Sequence, residues 1–73
     1  MKPEDLRKYL KEKGLRFHRK KVNGIEMWIR DDLHFPLTFY SNGPLIDEEL
    51  RRLTDNLGLP PSDLGDWRKL HSS

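Results

Sequence analysis

The chain has 73 residues, of which 34% are hydrophobic and 36% charged, with a formal net charge of +2 and no cysteine. At this length the sequence predicts a single domain, residues 1–73, with a modest core and neither a disulfide nor a thiolate metal site. No apolar run is long enough to cross a bilayer, and the opening MKPEDLRKYL is charged where a signal peptide would be apolar, so a cytoplasmic protein is expected.

The charge is unevenly placed. Residues 1–30 carry ten Lys/Arg against Glu4, Asp5, Glu12 and Glu26, a net +6. Residues 31–73 carry Arg51, Arg52, Arg68 and Lys69 against eight acids, a net −4. This split suggests a basic face that meets a polyanion. A mixed surface that merely keeps the domain in solution fits the same numbers.

Pro3 to Lys13 is predicted as the first helix. Proline suits the first helical position, where an N–H would have no partner, and Glu4 and Asp5 complement the dipole. Leu6 and Leu10, with Tyr9 beside them, make a narrow apolar stripe. Gly14 is placed to end the helix in the left-handed region, with Leu15 folding back on the last turn.

Arg16 to Val22 and Ile25 to Arg30 read as two strands around Asn23-Gly24, the dipeptide of a two-residue type I′ hairpin turn. That turn would pair Val22 with Ile25, Lys20 with Met27 and His18 with Ile29. Ile25, Met27 and Ile29 alternate with Glu26, Trp28 and Arg30, and the aliphatic set is expected to meet the helices. Phe17, Arg19, Lys21, Glu26, Trp28 and Arg30 would then share the opposite face. Lys20 falls on the apolar side in this register, so either its stem snorkels at the sheet edge or a bulge shifts the parity of the first strand.

Asp31 to His34 forms a turn, and Phe35 to Ser41 is a third strand that starts near or after Pro36 or runs along an edge. Leu37 and Phe39 point to the core and Tyr40 to the open face. Asp47 to Leu57 is the second helix, with Asp47 as N-cap and Leu50, Leu53 and Leu57 buried. Pro60-Pro61 blocks its continuation. Ser62 caps a short third helix from Asp63 to about Leu70, with Leu64, Trp67 and Leu70 on one edge, and His71-Ser72-Ser73 is expected to fray. The fold class is therefore α+β. It is a two-layer α-β-β-β-α sandwich, a three-stranded antiparallel sheet with helices on one face and a short C-terminal helix.

The open sheet face is the candidate site. Phe17, Trp28 and Tyr40 would offer flat rings to bases, and Arg19, Lys21 and Arg30 would contact phosphates, so RNA is the expected partner. The same residues suit a protein interface or plain cross-strand packing. No histidine spacing matches a metal site, and no phosphate loop, nucleophile elbow or dinucleotide fingerprint occurs. No metal and no cofactor are expected, and no catalytic residue is assigned.

The layout resembles the HicA toxins, small RNA-cleaving proteins of toxin–antitoxin pairs with a fold like that of a double-stranded-RNA-binding domain. The resemblance runs from about Pro3 to Leu64. It rests on a first helix of the type DLRKYLKEKGL, a basic first strand, a glycine turn, two strands, the helix EELRRLTDNLGL and then PPSDL. It implies RNA binding, a metal-independent endoribonuclease reaction and an antitoxin-like protein partner. The family's Gly-Ser-His-type motif corresponds here to Asn23-Gly24-Ile25-Glu26. Gly24 matches, no histidine follows it, and Glu26 lies near the expected position. The alternative is a non-enzymatic interaction module or antagonist that uses the open sheet face.

Overall fold

The computed structural model describes residues 1–71; the expected fraying of Ser72 and Ser73 lies outside the described residues. The chain runs α1 (Pro3–Glu12), β1 (Arg16–Lys20), β2 (Ile25–Ile29), β3 (Leu37–Tyr40), α2 (Asp47–Asn56) and α3 (Pro61–His71). The strands form one antiparallel sheet in the order β1-β2-β3, and the domain is α+β.

Both α1 and α2 form for the reasons their leucines suggest. Leu6, Tyr9 and Leu10 of α1 and Leu50, Leu53 and Thr54 of α2 are buried at spacings of three and four. Leu15, Leu37, Phe39, Leu45, Leu57 and Leu64 join them in one core. Each helix ends in the same way. Leu15 N–H donates to Leu10 O at 3.0 Å and Leu59 N–H to Thr54 O at 2.9 Å, with Gly14 and Gly58 at φ +86° and +72°, the geometry of a Schellman cap. Helix starts differ from expectation. Ile46, not Asp47, is the N-cap of α2, and no side chain caps it. Asp47, Glu48 and Glu49 instead fill the first turn and act on the dipole. α2 ends before Pro60-Pro61 as expected, and α3 begins at Pro61, two residues ahead of the expected Asp63, because proline is tolerated in a first turn.

The largest difference lies in the hairpin. Asn23 does not adopt positive φ; among the described residues only Gly14, Gly24 and Gly58 do. Gly24 N–H donates to Lys21 O at 3.0 Å and Lys21 N–H to Ile25 O at 2.8 Å. The loop is therefore three residues, Val22-Asn23-Gly24, with Gly24 in the left-handed region at φ +88°, and not a type I′ turn. A Cβ on Gly24 would overlap the Asn42 side-chain amide. One extra loop residue moves the register by one: Lys21, not Val22, stands opposite Ile25. A shift of one exchanges the two faces of a strand.

A bulge then shifts β1 again. Lys20 lies opposite Glu26, Arg19 opposite Met27, Phe17 opposite Trp28 and Arg16 opposite Ile29, with His18 as the extra residue. On the other side, Trp28 pairs with Leu37, Glu26 with Phe39, Met27 with Thr38 and Ile25 with Tyr40. Leu37 and Phe39 point into the core, so their partners Trp28 and Glu26 do too, at 1% exposure each. The expected assignment of β2 is thus reversed. Ile25, Met27 and Ile29 are half-buried on the side away from the helices, and Trp28 is the largest fully buried side chain.

Candidate nucleic-acid interface

Reversing β2 redistributes the residues expected to form the site. Arg19 and Lys21 stand opposite Met27 and Ile25, on the uncovered face. Tyr40, 51% exposed, stands opposite Ile25 on the same face. Trp28, Glu26 and Arg30 belong to the helix side. Phe17 lies on that side too, at the sheet edge; it is half exposed and meets the Trp28 ring edge-on at 5.8 Å between centroids. The six expected contact residues do not form one surface: Arg19, Lys21 and Tyr40 are brought together, while Phe17, Trp28 and Arg30 are not.

Arg30 has a structural role that the sequence does not reveal. Its Nη1 donates to Lys13 O at 2.7 Å, capping the C-terminus of α1, and its Nη2 donates to Asp32 Oδ2 at 2.9 Å. The guanidinium is thereby held by a helix end and an acid.

Glu26 and Arg7 were not foreseen as a pair. Arg7 projects from α1 toward the sheet, and its Nε lies 3.1 Å from both Glu26 oxygens, with a further Nη2 contact to Oε2. Trp28 Nε1–H donates to Glu26 Oε1 at 3.1 Å. Burial pushes the Glu26 carboxyl up, but hydrogen bonds from Arg7, Trp28 and Ser41 outweigh it and hold the group below its ordinary 4.5. A signal was available: Arg7 sits beside Leu6 and Leu10 on the helix, and among the described residues Glu26 is the only acid in a strand. A carboxylate that is buried, ionised and occupied on both oxygens is poorly placed to take a proton from a substrate. Glu26 therefore belongs to a structural ion pair with Arg7.

The cations of β1 are differently situated. Every residue from Arg16 to Lys20 is exposed, as is Lys21. Arg16 pairs with Asp31 at 3.0 Å. Arg19 Nε approaches only the Met27 sulfur, at 3.4 Å. Among the described residues, Arg19, Lys20 and Lys21 form no ion pair. On the uncovered face, Ile25, Met27 and Ile29 make an apolar stripe between Arg19 and Lys21 on one side and Tyr40 on the other, whereas Lys20, opposite Glu26, lies on the helix side of the edge. At the far edge, Arg52 of α2 donates to Thr38 O at 3.0 Å, so β3 is partly covered and β1 is the open edge.

The histidines are not gathered. His18 is the bulge residue of β1, His34 lies in the β2–β3 loop and both are exposed. His71 stacks on Trp67 at 4.3 Å and lies 3.8 Å from Glu12. Trp67 also meets Tyr9 edge-on at 5.6 Å and hydrogen-bonds Glu12, which docks α3 on α1. The Tyr9 hydroxyl donates to Asp63 Oδ2 at 2.6 Å, and burial with this bond pushes its phenol up. Among the described residues, no three His, Cys, Asp or Glu side chains are grouped to hold a metal ion. No described helix is long and apolar enough to cross a membrane. No protein-family model, no curated protein and no solved structure matches the chain.

Proposed function

We propose that this domain binds RNA and does not cut it. The observation that carries the reading is the β1 strand: an exposed sheet edge whose Arg19, Lys20 and Lys21 have no acidic partner among the described residues. Arg7, Lys13 and Arg30 are paired with Glu26, Asp63 and Asp32. Among the described residues, helix cations such as Lys8, Lys11 and Arg51 stand without an ion pair as well, but along β1 three unpaired cations follow one another at an exposed sheet edge. A run of free cations along an open edge suits contact with a phosphate backbone. The resemblance to HicA adds to this reading through the fold order and the basic first strand. The buried, ion-paired Glu26 argues against a nuclease centre at the family's motif position. RNA as ligand implies the cytoplasm as the place of action.

Arg19→Glu and Lys21→Glu lie on exposed positions, so each is expected to leave stability within about 0.5 kcal/mol. Each should weaken RNA binding by roughly tenfold and flatten its salt dependence, because fewer counterions are released. Fluorescence anisotropy with a labelled RNA at several salt concentrations reads both effects, and the same RNA should stay uncut on incubation. Affinity that ignores both salt and these charge reversals would remove the basis of the reading.

A second reading draws on a different observation. The half-buried Ile25, Met27 and Ile29 beside exposed Tyr40 would suit a protein partner, an antitoxin-like chain if the HicA kinship holds. Recovery of one protein from nuclease-treated lysate, lost with Met27→Glu and retained with Lys21→Glu, would favour that reading over RNA.

A further inference from the structure

We infer that the ligand of this surface is single-stranded nucleic acid, its backbone along β1 and its bases laid over the uncovered sheet face. This rests on the RNA-binding reading and narrows it. The basic row and the apolar stripe are adjacent and parallel. Arg19 stands directly across from Met27 and Lys21 from Ile25, and Ile25 in turn from Tyr40. Moving across the sheet, a ligand would therefore meet a cation, then an aliphatic side chain, then an aromatic ring. A nucleotide strand has the same transverse order, phosphate outside and flat base inside. Ile29 extends the aliphatic stripe one further position along β2.

A duplex does not match this arrangement. Its base faces are stacked internally, and its surface presents phosphates, 2′-hydroxyls and base-pair edges. Those polar groups would meet the cations of β1 but would find no hydrogen-bond partner on Ile25, Met27 or Ile29. Unpaired bases present π faces that lose water favourably against an aliphatic stripe and stack on a half-exposed ring such as Tyr40. Sequence preference should be weak, since stacking reads every base similarly.

The test is anisotropy with a short labelled single-stranded RNA and with the same sequence closed into a hairpin duplex. Wild type should bind the single strand about tenfold or more tightly than the duplex. Tyr40→Ala should cost about tenfold on the single strand, the scale of one lost base stack, whereas Tyr40→Phe, which keeps the ring, should bind like wild type. Met27→Glu should weaken the single strand by at least as much while circular dichroism shows the fold retained. Duplex binding equal to or tighter than single-strand binding would overturn this inference and leave the RNA reading standing. No binding of either would overturn both. Equal loss in Tyr40→Ala and Tyr40→Phe would also overturn it, since the hydroxyl and not the ring would then be the contact.

Discussion

Trp28→Ala is expected to be among the most damaging single substitutions in the chain, with a loss of about 3–5 kcal/mol. A domain of this size has a total stability on the order of 4–11 kcal/mol, so the variant should be close to unfolding at room temperature. The reason is its position. At 1% exposure the indole fills the layer between the sheet and the helices, opposite Leu37 and against the Phe17 ring. Removing it leaves a cavity, and it also deprives Glu26 of one hydrogen bond. Urea denaturation reads the effect directly. A loss below about 1 kcal/mol would mean that the indole lies on the uncovered face and that the register of the hairpin is wrong.

Arg7→Ala should come next, with a loss of about 2–3 kcal/mol. Breaking a buried pair by deleting one partner usually costs about 3–5 kcal/mol, because the other charge is left uncompensated. The lower figure applies here because the Arg7 side chain is 35% exposed, although Glu26 is only 2% exposed. Glu26→Gln in the Arg7→Ala background should recover part of the loss, since the stranded charge is then gone. The pH dependence has a definite sign. Glu26 titrates below its ordinary 4.5 in the folded chain, so the unfolded chain binds its proton first as pH falls. Its contribution is complete above the unfolded value and is lost as pH drops through the folded one. Wild type should lose stability below about pH 4.5, and Glu26→Gln should show a shallower acid limb. Identical acid limbs in the two proteins would contradict the ion-pair account.

Much of the fold can be read from spacing alone. Leu6 and Leu10, and Leu50, Leu53 and Leu57, mark helices because i, i+3 and i+4 positions share one face. The two Gly-Leu pairs end those helices because their geometry is local. In β3 the alternation of Leu37 and Phe39 with Thr38 and Tyr40 gives the right faces. In β2 it does not, since both sets contain large apolar side chains. Three aliphatics outweigh one tryptophan and one glutamate by hydrophobic count, but the buried set is the one whose polar member finds partners. That outcome depends on Arg7, nineteen residues away in sequence, and on a loop one residue longer than Asn-Gly suggests. A bulge in β1 is one of the two readings that the place of Lys20 in the pattern allows, but its position at His18 follows from neither propensity nor pattern. As a result, the basic character of β1 was legible from sequence, since all its cations are exposed in either register, while the aromatic part of the expected site was not. Trp28 and Phe17 went to the helix side, Arg30 went to the end of α1, and the apolar stripe took the place expected for the indole.

The uncovered face as a whole is tested most directly by recording backbone amide spectra while a short RNA is titrated into the isotope-labelled domain. Binding through this surface predicts shifts at Arg19, Lys21, Ile25, Met27 and Tyr40, all reduced by added salt, with α1 and α3 little changed. Shifts confined to the helices, or a spectrum unmoved by RNA at low salt, would contradict the account.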